Sequence, residues 1–216
     1  MEDQTWFNLE DQKSRQRILP QIEEYYVNKM SVLDWQVFDR RLRQHFPFLF
    51  RLLYQLYGKQ YDFFYHLEKI LQTIAKMWHD RPGDLKELDA RRESNPDWYH
   101  SENMLGGVCY ADLFAGTLEG IRKRIPYFKE MGLTYLHLMP LFLCPEGNND
   151  GGYAVSNYRQ VNPKLGTIDE LAKLSAEFRK NDISLVLDFI FNHTSNEHEW
   201  ARKAITGDKY YQAFYF

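Results

Sequence analysis

The spacing of apolar residues along this chain changes near residue 95. Before that point it is helical. Phe38, Leu42 and Phe46 stand four residues apart, and Phe63, Leu67, Ile70, Leu71, Ile74, Met77 and Trp78 form a wide stripe on one helical face. Pro82-Gly83 closes that helix, and a short charged helix is expected from Asp84 to about Glu93. Nothing in residues 1–95 reads as strand, so an all-α domain is expected there. His45, His66 and His79 are scattered without partners and fit packing or surface positions.

After Asn95-Pro96-Asp97 the pattern switches. Gly107-Val108-Cys109-Tyr110 suits a buried strand. Thr117 is placed to cap a helix that carries Leu118, Ile121, Ile125 and Phe128 on one face. Pro126 kinks or restarts this helix and Gly132 ends it. Thr134 to Leu138 reads as strand again. Thr167-Ile168-Asp169-Glu170 is a capping box opening a helix with Leu171, Leu174 and Phe178 on its inner face. Ile183 to Leu187 is an apolar run ending at Asp188. The order β-α-β, long loop, α-β calls for a parallel sheet with right-handed crossovers.

Polar residues gather after the carboxyl ends of these strands. Asp112 follows the first, Asp150 and Tyr153 lie in the loop after the second, and Asp188, Asn192 and His193 close the third. That edge is where ligands bind in open α/β sheets and in (β/α)8 barrels. In Asp150-Gly-Gly-Tyr153 the glycines allow a tight left-handed turn, the carboxylate can accept from neighbouring hydroxyls, and the ring can pack on a sugar face.

Composition narrows the alternatives. The chain has 216 residues, 44% hydrophobic and 26% charged, with a formal net charge of −3. Disorder, a membrane span and a disulfide scaffold are excluded by that balance and by the two cysteines, Cys109 and Cys144, expected as reduced thiols. The charge offers no electrostatic basis for nucleic acid or an anionic membrane as partner. The amino terminus lacks the basic and apolar regions of a secretory signal, so a cytoplasmic location is the default, with secretion left open. Asn192-His193-Thr194 then matches a glycosylation sequon by chance. No Gly-x-Gly-x-x-Gly, phosphate-binding loop or Gly-x-Ser-x-Gly elbow is present, and His193 to His198 fits no zinc-hydrolase spacing.

Several motifs together resemble amylosucrases, sucrose-acting members of the α-amylase superfamily (glycoside hydrolase family 13). They are Asn95-Pro-Asp-Trp98, Gly106-Gly-Val-Cys-Tyr-Ala-Asp-Leu-Phe114, Leu133-Thr-Tyr-Leu-His-Leu-Met-Pro-Leu-Phe142, Cys144-Pro-Glu-Gly147, Asp150-Gly-Gly-Tyr-Ala-Val155 and the run from Asp188 to Trp200. The resemblance implies a helical domain over residues 1–95, followed by the first units of a (β/α)8 barrel. Three of its eight strands would lie in residues 103–193, and residues 194–216 would open the inserted domain after the third strand. It implies that His193 and Asp150 hydrogen-bond the glucosyl ring, Tyr153 stacks on it, and Asp188 and Asn192 organise the strand tip. No metal and no cofactor are implied.

Sucrose would be cleaved through a covalent glucosyl-enzyme, fructose released, and glucose passed to an α-1,4-glucan acceptor. Such retaining chemistry needs two carboxyl groups about 5–5.5 Å apart. In the family these follow later strands, so no catalytic residue is expected within this chain, which reads as an N-terminal fragment inactive by itself. The tail from Tyr210 to Phe216 reads as an uncapped aromatic run that needs cover. Another superfamily specificity, such as sucrose hydrolase, trehalose synthase or α-amylase, is an alternative. So are a non-catalytic carbohydrate-binding module and a small open-sheet α/β domain.

Overall fold

A computed structural model describes residues 2–215 and divides into two compact units, Met1–Asn95 and Pro96–Phe216. The first unit is helical: α1 (Glu2–Tyr26), α2 (Val32–Tyr57), α3 (Phe63–Asp80) and α4 (Gly83–Ser94). Ser31 starts α2 by accepting the Asp34 N–H at 3.1 Å. Its core joins Ile18, Ile22, Phe38, Phe46, Phe50, Phe63, Leu67 and Leu71. The stripe on α3 is narrower than the spacing implies. Phe63, Leu67, Leu71 and Ala75 are buried, whereas Ile70, Ile74 and Met77 are exposed on its flank.

The second unit alternates strand and helix. Its elements are β1 (Gly106–Cys109), α5 (Ala111–Ala115), α6 (Leu118–Lys123), α7 (Ile125–Glu130), β2 (Tyr135–Leu138), β3 (Phe142–Leu143), β4 (Asn157–Val161), α8 (Ile168–Lys180), β5 (Ser184–Leu187), α9 (Glu199–Ile205) and α10 (Lys209–Gln212). The strands β1, β2 and β5 lie side by side in that order, all parallel. This is a helical part followed by a few parallel strands. Local signals set the helix boundaries. Thr167 and Glu170 form the reciprocal capping box of α8, and Pro126 sits at the start of α7. Gly132, at φ +75°, lets the Leu133 N–H return to the Phe128 carbonyl at 2.9 Å.

One face of this sheet is covered and the other is not. Leu136 and Leu138 are buried with Ile121, Ile125, Phe128, Leu174 and Phe178 from the helices. Across the sheet, Val108 is 63% exposed and Val186 40% exposed. The expectation of a buried strand at residues 107–110 therefore needs correction. The strand is Gly106–Cys109, its residues alternate between exposed and half-buried, and Tyr110 instead precedes α5. A parallel strand is buried on both faces only when layers cover both, and among the described residues helices cover just one.

Two further readings change. The long loop after β2 contains the antiparallel pair β3–β4, irregular between Phe142 and Leu143. A two-residue strand is too short to show a period. The aromatic tail also has a cap, since Asp208 accepts the Tyr210 N–H at 3.0 Å to open α10. Trp200 and Phe214 pack at 4.8 Å between ring centres, with both still partly exposed. Phe216 lies outside the described residues.

Replacing Thr167 by Ala is expected to lower stability by about 1 kcal/mol, read from the urea midpoint of the 216-residue chain. Replacement by Ser, which keeps the cap, should cost far less.

Buried His198 caps α9 by accepting the Trp200 N–H on Nδ1 at 3.2 Å. Burial lowers its basicity, partly opposed by the Glu199 charge. The protonated ring cannot accept, so this cap's contribution is present above the ordinary histidine range and lost as pH falls through the lowered value. Urea midpoints taken between about pH 7 and pH 5 should drop more for the parent chain than for His198→Asn, whose amide oxygen accepts at both.

Candidate active-site edge

The parallel register aligns the strand ends. Cys109, Leu138 and Leu187 are partners across β1, β2 and β5, so Tyr110, Met139 and Asp188 emerge at one edge. Asp188 is half-buried there. Its Oδ2 accepts from the Tyr153 hydroxyl at 3.2 Å, and its Oδ1 stands 3.1 Å from His137 Nε2 on β2. That nitrogen is itself buried and lacks an aligned hydrogen bond, so the contact is one of proximity.

Tyr153 reaches Asp188 because of a turn that ordinary residues disfavour. Asp150, Gly151 and Gly152 take φ values of +51°, +66° and +93° in succession. A Cβ on Gly151 would sit 3.0 Å from the Tyr110 hydroxyl, and one on Gly152 would sit 3.1 Å from Pro140 Cβ. Asn149 locks the entry to this turn, accepting the Gly152 N–H at 3.3 Å and donating to the Pro145 carbonyl at 2.9 Å. Burial raises the Tyr153 pKa above the ordinary tyrosine value, and the Asp188 carboxylate adds to the effect. At neutral pH the ring therefore keeps its hydroxyl proton to donate.

The strand-tip loop after β5 is tied to the same turn. The Ser195 N–H donates to the Val155 carbonyl at 2.9 Å. From β4, the Tyr158 hydroxyl bonds the Ile190 carbonyl at 2.6 Å and lies 3.1 Å from the His193 carbonyl. The Asn192 amide lies 3.3 Å from His193 Nδ1. When the amide donates there, the neutral imidazole carries its proton on Nε2, facing outward. His193, Asn192 and Asp150 are all exposed.

Of the residues singled out in the sequence, the structure joins Tyr153 to Asp188 and Asn192 to His193. The Asp150 carbonyl accepts the Tyr153 N–H at 3.2 Å, whereas its carboxylate forms no hydrogen bond with any of them among the described residues and acts on Tyr153 through space. His137 was overlooked. Its signal was a single titratable residue between Leu136 and Leu138 inside a strand. No group of three His, Cys, Asp or Glu side chains gathers as a metal site among the described residues.

An edge offering carboxylates, an imidazole N–H and an aromatic face can grip a polyhydroxylated ring. Residues 91–216 match the model of the α-amylase catalytic domain. The chain belongs to the α-amylase family. Trehalose-6-phosphate hydrolase of Escherichia coli (strain K12) is 34% identical over 100 residues, 46% of this chain and 18% of that protein. The alpha-glucosidase of Apis mellifera is 31% identical over 145 residues, 67% and 24% respectively. Among solved structures, a variant of the enzyme MutB in complex with the substrate sucrose superposes with a TM-score of 0.50 at 27% identity, covering 56% of this chain and 22% of that one. The trehalose-6-phosphate hydrolase of Bacillus licheniformis gives 0.50 and 27%, with 55% and 22% covered. This family member thus spans 18% and 24% of those two curated relatives.

Gly152→Ala is expected to destabilise the second unit by about 1–2 kcal/mol, through positive φ and the approach to Pro140. Gly147→Ala, in the same loop with nothing within 4 Å of its added Cβ, should change stability by less than about 0.5 kcal/mol. Urea unfolding of the two variants makes the comparison.

Proposed function

We propose that these residues supply the glucosyl-binding edge of an amylosucrase-type enzyme that takes sucrose as its donor. The observation that carries this reading is the Asp150-Gly-Gly-Tyr153 turn docked on Asp188 through the Tyr153 hydroxyl at 3.2 Å. The docking holds an aromatic face at the carboxyl edge of the sheet, where a sugar ring would lie. His193 Nε2–H and the Asp150 carboxylate hydrogen-bond ring hydroxyls, and Tyr153 packs on the ring's C–H face. Asn192 sets the His193 tautomer. The glucosyl-enzyme would form by retaining double displacement, with fructose leaving and glucose passing to an α-1,4-glucan. Its nucleophile and acid/base would come from strands other than β1, β2 and β5, with no metal or cofactor taking part.

A second reading, a glucosidase or hydrolase acting on another α-glucoside, draws support from the names of the relatives in hand, trehalose-6-phosphate hydrolase and alpha-glucosidase. The two readings share the glucosyl site and differ in leaving group and acceptor.

The 216-residue chain is expected to release no fructose from sucrose. In a chimera, residues 91–216 replace the matching segment of MutB, whose solved structures include the sucrose complex. This chimera is expected to turn sucrose over. His193→Ala and Tyr153→Ala should each lower its kcat/KM on the order of 10²-fold, as lost positioning does. A chimera that unfolds cooperatively yet leaves sucrose intact overturns the reading. Preference for maltose over sucrose favours the second one.

A further inference from the structure

We infer that His137 is a positioning residue: it fixes the Asp188 carboxylate and thereby sets the plane of the Tyr153 ring. The sugar against which that ring would lie belongs to the function proposed above, and in that respect the inference rests on it. The geometry of the three side chains does not.

A carboxylate turns easily about its last torsion unless both oxygens are engaged. In Asp188 one oxygen is hydrogen-bonded and the other is approached, each from a different element. Tyr153, in the loop after β2, takes Oδ2, and His137, within β2, faces Oδ1 at 3.1 Å. The neighbours of His137 across the sheet are Val108 on β1 and Val186 on β5, aligned with it in register. Neither side chain offers an acceptor. An imidazole flanked by two valines therefore finds its polar partner one residue beyond the end of β5. A histidine that merely filled space would not need its Nε2 buried and turned to a carboxylate oxygen.

The present alignment of that pair is short of a formed hydrogen bond, and small rotations of the carboxylate and ring would complete it. The carboxylate would then be held on both sides. The Tyr153 hydroxyl, whose proton is retained at neutral pH, would have a fixed acceptor. The turn of Asp150, Gly151 and Gly152 sets where Tyr153 begins, and the His137–Asp188 pair sets where its ring ends.

The test places 3-fluorotyrosine at position 153 alone in the 216-residue chain and reads its 19F resonance. The parent chain should give one narrow line. His137→Phe, which keeps the ring volume and removes the donor, should broaden or split it. His137→Gln, whose amide nitrogen reaches about as far as Nε2, should restore the single line. Urea unfolding reports whether each variant is folded. An unchanged line in folded His137→Phe overturns the inference. So does a folded His137→Gln that behaves like His137→Phe, because packing alone would then explain the effect.

In the sucrose-active chimera, His137→Phe should lower kcat/KM about tenfold and His137→Gln should stay within about threefold of the parent. Should the parent chimera be inactive, the sugar reading fails while the 19F lines still decide the role of His137.

Discussion

The parallel register of β1, β2 and β5 is the constraint on which the candidate site depends. Because Cys109, Leu138 and Leu187 are partners, everything that follows them leaves the sheet at one level. Parallel strands need crossovers, and those crossovers supply α6, α7 and α8, which bury Leu136 and Leu138 on one face. Slipping β5 by a single residue would turn Leu187 outward and Asp188 inward. The carboxylate would then face Leu174 and Phe178 without a partner. Burial of the helix-side face thus fixes where the polar edge lies.

A second layer of order is built on that edge from loop segments. The hairpin β3–β4 brings Tyr158 under the strand-tip loop, where its hydroxyl holds the carbonyl of Ile190. The Ser195–Val155 hydrogen bond joins this loop to the turn that carries Tyr153. Asp150, Gly151 and Gly152 each occupy left-handed backbone, a conformation that persists where surrounding contacts over-determine it. Asn149, Tyr110 and Pro140 provide those contacts. Three successive left-handed residues thus lie in the segment that presents an exposed carboxylate and an aromatic ring.

How much of this could be read from the sequence depended on the range of the interaction. Thr117, Thr167, Pro126 and Gly132 act within a few residues of themselves, and each helix boundary lies where they imply. Apolar period located the three parallel strands, because burial on the helix side imposes it. It overstated the burial of β1 and of one flank of α3, since Val108 and Ile74 differ from Leu136 and Leu67 only in what stands opposite them. The pair β3–β4 left no periodic trace. In the site, Asp188 and Tyr153 could be named from their motifs, but their contact spans 35 residues and follows from tertiary register. His137 was hidden for the same reason: its partner is 51 positions away in the chain, one residue past the end of another strand.

The arrangement also limits what each carboxylate can do. A nucleophile in retaining glycoside chemistry needs an oxygen free to attack the anomeric carbon. Asp188 has one oxygen bonded to Tyr153 and the other against His137, so it is committed to holding its neighbours. Asp150 sits exposed on a turn shaped by Asn149 and two glycines, a location suited to accepting hydroxyl hydrogen bonds. In the proposed function both residues help hold a ring still, and substrate orientation is itself a large part of catalysis.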